Sequence, residues 1–183
     1  NKFAWISTPD ELWEDKKEMI TTALESGIDH VLDLEDMEQI RKLGNVKIIA
    51  NSDDADIYLV GINGEGDGFV ELKEDFTDSV DIASAKKAKS EGKEVCAYIV
   101  ITDKAHEQLA VKLGSIVDYI ILVGTDWTII PLENIIADLQ KEDVEIIAAV
   151  RDLDGARVAL ETLEHGTDGI IFEANDFNQI KKI

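Results

Sequence analysis

Cysteine is nearly absent: Cys96 is the only one in 183 residues. No intrachain disulfide can form, which fits a reducing cytoplasm. Cys96 lies inside the apolar run Val95–Ile101 and reads as a small buried hydrophobe, not a reactive thiol. Histidine is scarce too. His30, His106 and His165 are scattered without metal-ligand spacing, so each is read as structural or solvent-facing. Positive charge is the scarcest commodity. Lys and Arg number 18 against 39 Asp and Glu, a formal net charge of −21. The basic runs stop at two residues, Lys16-Lys17, Lys86-Lys87 and Lys181-Lys182. A surface this acidic repels phosphate, which excludes nucleic acid and anionic membranes as partners. No apolar stretch reaches transmembrane length. The opening Asn1–Trp5 is followed at once by Asp10, Glu11, Glu14 and Asp15, so it does not read as a signal peptide. These absences leave a cytoplasmic protein long enough for one domain with a real core.

What is present is a ladder of apolar runs alternating with helix-periodic segments. Strands are predicted at Phe3–Ser7, Val31–Leu34, Val46–Ala50, Ile57–Gly61, Val95–Ile101, Tyr119–Val123, Val144–Val150 and Ile170–Glu173. Helices fit Leu12–Ser26, Met37–Leu43, Ser79–Ser90, Lys104–Leu113, Leu132–Gln140, Gly155–Glu164 and Asp176–Ile183. Continuous apolar strands argue a parallel sheet buried on both faces. An Asp precedes the even strands (Asp29, Asp56, Asp118, Asp168), whereas Asn45, Glu94 and Asp143 precede the odd ones. A faint repeat relates the stretch from Leu24 to that from Leu163, with Gly27 and Gly166 read as left-handed helix caps. Eight strands of alternating character predict a compact parallel (βα)8-like barrel, with an abbreviated crossover after the third strand, where only Asn51–Ala55 intervenes. An open doubly wound parallel sheet is the alternative. Residues 1–183 are expected to form a single α/β domain, the N-terminal part of a longer enzyme. The amphipathic tail 177–183 reads either as a cut at a boundary or as a short closing helix.

In a barrel, residues just past the strands share one mouth. Here they are Ser7, Asp33, Glu35, Asn51, Asp53, Gly61, Asn63, Thr102, Asp103, Thr125, Asp126, Arg151, Asp152 and Glu173. Carboxylates dominate, and Arg151 is the main cation. Asp103, Asp152 and Asp176 read as helix N-caps. The glycine cluster Gly61–Gly68 does not match a dinucleotide fingerprint and reads as a mobile surface loop. The most informative stretch runs from Gly124 to Asp138: a polar loop carrying Asp126 and Trp127 leaves a buried strand, and Pro131 opens a helix. Asp126 and Glu173 are the candidate catalytic carboxylates. Thr125, Trp127 and Arg151 are the candidate substrate-binding residues.

The stretch from Asp126 to Asp138 resembles the signature of the archaeal-type 3-dehydroquinate synthase (type II). Lys2–Ile6, Arg41–Ile48 and Leu160–Gly169 resemble that family as well, in order along the chain. The resemblance implies an NAD-dependent enzyme of the shikimate pathway, serving aromatic amino-acid biosynthesis. Its substrate would be 2-amino-3,7-dideoxy-D-threo-hept-6-ulosonate, oxidatively deaminated and cyclised to 3-dehydroquinate. It also implies a C-terminal part that this chain lacks. Two other readings stand beside it. One is an enzyme resembling 3-amino-4-hydroxybenzoate synthase, which uses a divalent metal. The other is a non-catalytic scaffold half.

Overall fold

Eight parallel strands close on themselves in chain order, each paired with the next and the last with the first. The computed structural model describes residues 3–8, 12–68, 76, 79–124, 133–150 and 166–173. The strands are β1 (Phe3–Ser7), β2 (His30–Leu32), β3 (Lys47–Ala50), β4 (Ile57–Val60), β5 (Val95–Ile101), β6 (Tyr119–Gly124), β7 (Glu145–Val150) and β8 (Gly169–Glu173). The helices are α1 (Trp13–Glu25), α2 (Met37–Arg41), α3 (Val80–Ser90), α4 (Lys104–Gly114) and α5 (Glu133–Leu139). Closure comes from β1 and β8, in register from Phe3 opposite Gly169 to Ser7 opposite Glu173. The open doubly wound sheet is thereby overturned. The predicted helices at Gly155–Glu164 and Asp176–Ile183 lie outside the described residues.

Alternation along each strand sorts the side chains. Trp5, Leu32, Ile49, Leu59, Cys96, Ile121, Ile147 and Ile171 pack together inside the barrel. Their sequence neighbours Ile6, Val31, Ile48 and Ala50 pack outward, in one cluster with Met19, Ile20 and Ala23 of α1 and Ile40 of α2. A second outer cluster joins Ala97, Ile99, Ile120, Leu122 and Ile146 to α3, α4 and α5. Each isoleucine, leucine or valine among these contributes about 2 kcal/mol on full burial, which is why both strand faces must be apolar. Cys96 has no exposed surface, and burial pushes its thiol well above the ordinary value. It is a core residue, as its sequence context implies.

The Asp that precedes each later even strand has a physical role. Asp56, Asp118 and Asp168 donate their backbone N–H to the carbonyls of Ile48, Val95 and Ile146 at 3.0, 2.9 and 2.7 Å. Their carboxylates accept the N–H of the same three residues at 2.8, 2.9 and 2.8 Å. Each Asp thus clasps an odd strand to the following even strand at the floor of the barrel. The first pair departs from this pattern, because Asp29 turns to His30 at 2.8 Å. His30 in turn stacks on Trp5, their ring centroids 5.2 Å apart, and is structural.

The link between β3 and β4 carries no helix, as expected. Residues 51–56 form a polar strap instead. Arg41 of α2 holds it through the Asp56 carboxylate at 3.0 Å and the Asp54 carbonyl at 2.8 Å. Lys93 pairs with Asp53 at 2.6 Å and lies over the Tyr58 ring, 5.1 Å from its centroid. Gly27 does end its helix in the left-handed region, at φ 87°. The helix that Gly166 is expected to cap lies outside the described residues. A Cβ at Gly166 would sit 2.5 Å from Cγ2 of Ile136, and close helix approach is what excludes a larger residue.

Candidate functional site

The C-terminal ends of the strands form the mouth, and a buried cation organises its β1–β2 side. Lys16 sits in the first turn of α1, four and seven residues before Ile20 and Ala23 on the buried helix face. Its ammonium is 2.9 Å from Asp33, 2.9 Å from Asp36 and 3.4 Å from Glu35. Asp33 follows β2 and is 1% exposed. One Asp33 oxygen accepts the N–H groups of Glu35 and Asp36 at 2.8 and 2.7 Å, which starts α2. The other accepts the Thr8 hydroxyl and pairs with Lys16. Burial pushes the Asp33 carboxyl up, but the Thr8 and backbone hydrogen bonds and Lys16 outweigh it and hold it below the usual range. Burial likewise works against the Lys16 charge, and Asp33 and Asp36 more than offset it, raising its pKa. This cluster is saturated: it fastens the β1–α1 and β2–α2 turns together.

The glycine cluster after β4 is not the mobile surface loop expected from sequence. Gly61 adopts φ 107°, and a Cβ there or on Gly66 would collide with the Tyr98 carbonyl oxygen. The loop therefore lies directly on β5. It is also locked to α3. Glu65 accepts the Ser79 hydroxyl at 2.9 Å and the Asp81 N–H at 3.1 Å, while Asp81 accepts the Gly66 N–H at 3.0 Å. Burial, with the neighbouring Glu65 and Asp67 charges, pushes the Asp81 carboxyl up to about 6. A dinucleotide pyrophosphate needs free backbone N–H groups in such a loop. Here Gly64, Gly66, Asp67 and Gly68 all spend theirs internally. With two carboxylates alongside, the loop does not fit NAD.

After β5, Asp103 caps α4 as predicted, accepting the His106 N–H at 2.9 Å. That backbone bond is the main reason its carboxyl stays below the usual range. His106 takes the structural rather than the solvent-facing of the two roles expected for it. It is only 2% exposed, and its Nδ1 lies 2.7 Å from the Asp103 carboxylate and 3.2 Å from the Thr102 hydroxyl. The signal was the spacing of a capping Asp and a His three residues on.

Asp53 is corrected. Its pairing with Lys93, two residues before β5 begins, draws it toward the floor rather than the mouth. Thr125, Asp126, Trp127, Arg151 and Asp152 lie outside the described residues, and so does the side chain of Glu173. The backbone that leads to them is described. β6 ends at Gly124, one residue before Thr125, and β7 at Val150, one residue before Arg151, opposite Phe172 of β8. Glu173 closes β8 opposite Ser7. Among the described residues, no group of three or more His, Cys, Asp and Glu is placed to hold a metal ion. Nor is any helix among them long and apolar enough to cross a membrane.

The sequence profile of the 3-dehydroquinate synthase II N-terminal domain matches residues 1–183. The chain belongs to that family. It is 76% identical over 176 residues to the 3-dehydroquinate synthase of Methanobrevibacter smithii, covering 96% of this chain and 48% of that protein. The 3-dehydroquinate synthase of Methanothermobacter thermautotrophicus is 60% identical, covering 100% of this chain and 49% of that protein. The chain thus spans about half the length of the curated relatives it matches. Among solved structures, truncated 3-deoxy-D-arabino-heptulosonate 7-phosphate synthase from Thermotoga maritima aligns with a TM-score of 0.60 and 15% identity, over 99% of this chain and 83% of that one. The tryptophan synthase complex from Pyrococcus furiosus aligns with a TM-score of 0.53 and 10% identity, over 99% and 90%. At these identities the likeness is one of fold.

Proposed function

We propose that this domain is the barrel half of a cytoplasmic 3-dehydroquinate synthase of the second type. The full-length enzyme oxidatively deaminates 2-amino-3,7-dideoxy-D-threo-hept-6-ulosonate with NAD and closes the resulting diketone to 3-dehydroquinate, in the shikimate route to aromatic amino acids. The single observation that carries this reading is the family match over residues 1–183, reinforced by 76% identity to a protein of that name. The barrel supports it by bringing the ends of β6, β7 and β8 to one rim.

The mouth is the substrate's place in this reading. Arg151 pairs with the substrate carboxylate. Thr125 and Trp127 shape the pocket. Asp126 and Glu173 are the carboxylates for orienting the chain and moving protons during ring closure, where such transfer contributes about 10²–10⁴-fold. NAD supplies the hydride acceptor. Because the Gly61–Gly68 loop does not fit a pyrophosphate, the cofactor site is assigned elsewhere in the full-length enzyme, and no step is routed through it here.

The test is NADH formation from the amino-sugar acid by the full-length enzyme. Asp126→Asn should lower turnover by orders of magnitude with little change in melting temperature, since Asn also caps a helix well. Unchanged turnover in that variant would leave Asp126 only a capping role. No NADH from the wild type would sink the function.

A further inference from the structure

His106 occupies the first turn of α4 on the helix face that also buries Leu109, Ala110 and Leu113. Thr102, which its ring touches, follows Ile101, and Ile101 pairs with Gly124 at the end of β6. The imidazole is therefore at the rim between β5 and β6, beside the start of the loop that carries the family signature. One oxygen of Asp103 serves both the His106 N–H and its Nδ1, so backbone and ring are fixed by the same carboxylate. A carboxylate only accepts, so Nδ1 carries the hydrogen, and in the neutral ring the lone pair is then on Nε2. That Nε2 is buried and has no hydrogen-bond partner among the described residues. A buried acceptor left unpaired is costly, and an apolar side chain at this core-facing position avoids the cost. The arrangement makes sense when a donor arrives.

We infer that His106, held as a proton acceptor by Asp103, takes a hydrogen bond from a hydroxyl or ammonium group of the ligand bound at the mouth. The naming of that ligand rests on the function proposed above. The contact itself rests on the Asp103–His106 geometry. Asp103 is the positioning residue, exposed at the rim and fixing the tautomer of a ring it does not bury.

The experiment uses the full-length enzyme and 3-dehydroquinate as the probe. His106→Phe keeps the ring volume and removes the acceptor. It should weaken 3-dehydroquinate binding at least about tenfold by calorimetry, with the melting temperature held or raised. Asp103→Asn, which keeps the cap, should weaken binding as well. Nitrogen-15 spectra of labelled histidine should show Nε2 unprotonated in the free enzyme and shifted on saturation with 3-dehydroquinate. Equal affinity in wild type and His106→Phe overturns the inference, as does a protonated Nε2 in the free enzyme. A wild type that binds and turns over normally while both variants match it refutes this contact alone. A wild type that neither turns over the amino-sugar acid nor binds 3-dehydroquinate refutes the function, and with it the ligand named here.

Discussion

Lys16 and Asp33 form an ion pair at 2.9 Å with both side chains essentially sealed from solvent, at 1% and 0% exposure. The pair ties the start of α1 to the end of β2. Removing one member strands the other as a buried charge. Lys16→Met is expected to cost about 3–5 kcal/mol, read from urea unfolding at pH 7. Asp33→Asn, which still accepts hydrogen bonds, should cost less. The pH dependence has a definite sign. Because the folded pKa of Asp33 is lowered from 3.8, its contribution is complete above that value and is lost as the pH falls through the lower folded value. A Lys16→Met protein as stable as wild type would remove this pair from the fold's determinants.

Asp81 should behave in the opposite sense. Its carboxyl is raised from 3.8 to about 6 by burial and by Glu65 and Asp67. The folded chain therefore binds a proton more readily than the unfolded one between those values, so this group's contribution to stability grows as the pH falls from about 7 toward about 4. Asp81→Asn, which can still accept the Gly66 N–H, should be more stable than wild type at pH 7 and should flatten that part of the curve. Thermal melts across pH 4–8 check both. A wild-type melting profile identical to that of Asp81→Asn defeats the assignment.

The three aspartate clasps at the barrel floor should be worth similar amounts. Asp56→Ala and Asp168→Ala each leave a buried strand N–H, that of Ile48 or Ile146, without its carboxylate partner. A loss of about 1–3 kcal/mol apiece is expected. The two clasps lie on opposite sides of the barrel and share no partner, so the double variant should lose the sum to within about 0.5 kcal/mol. Denaturant titration of the three variants measures it.

Gly61→Ala should fail more severely than any of these. The new Cβ meets the Tyr98 carbonyl of a central strand, which cannot rotate away as a side chain would, and φ 107° is strained for alanine. The expected outcome is a loss of more than about 3 kcal/mol or no soluble protein. Gly92→Ala is the control: it has a positive φ of 83° but nothing within 4 Å of a new Cβ, and should cost about 1 kcal/mol. Equal effects at the two positions would show that backbone conformation, not the approach to β5, decides the matter.

The barrel was legible in sequence because its signals repeat. Apolar runs mark the strands, and the Asp before each later even strand marks a real hydrogen-bonded clasp. Boundaries shifted by a residue or two, as at β2, which ends at Leu32 rather than Leu34 where the Asp33 carboxylate takes the Glu35 and Asp36 N–H groups to start α2. Similar motifs also hid different causes. Gly27 takes a left-handed backbone with open space around it, whereas a Cβ at Gly166 would meet Ile136. Lys16 was overlooked because it was read as half of a basic pair with Lys17. Its spacing to Ile20 and Ala23 places it on the buried face. His106 was missed because one histidine on a helix carries no spacing signal by itself; only Asp103 three residues before it gives the ring a partner. The glycine loop misled because glycine permits mobility and close packing alike, and only the Tyr98 carbonyl decides between them.

The strap of six residues, 51–56, has a kinetic consequence. Loop-closure entropy grows with length, so joining β3 to β4 costs about 1.5 kcal/mol less than joining β4 to β5 across residues 61–94. Chain entropy thus favours β3 and β4 as an early meeting point, from which pairing spreads in both directions. The pairing of β1 with β8, whose strands are farthest apart along the chain, carries the largest loop-closure cost. The strand pair with the thinnest cover is in this sense the seed of the barrel.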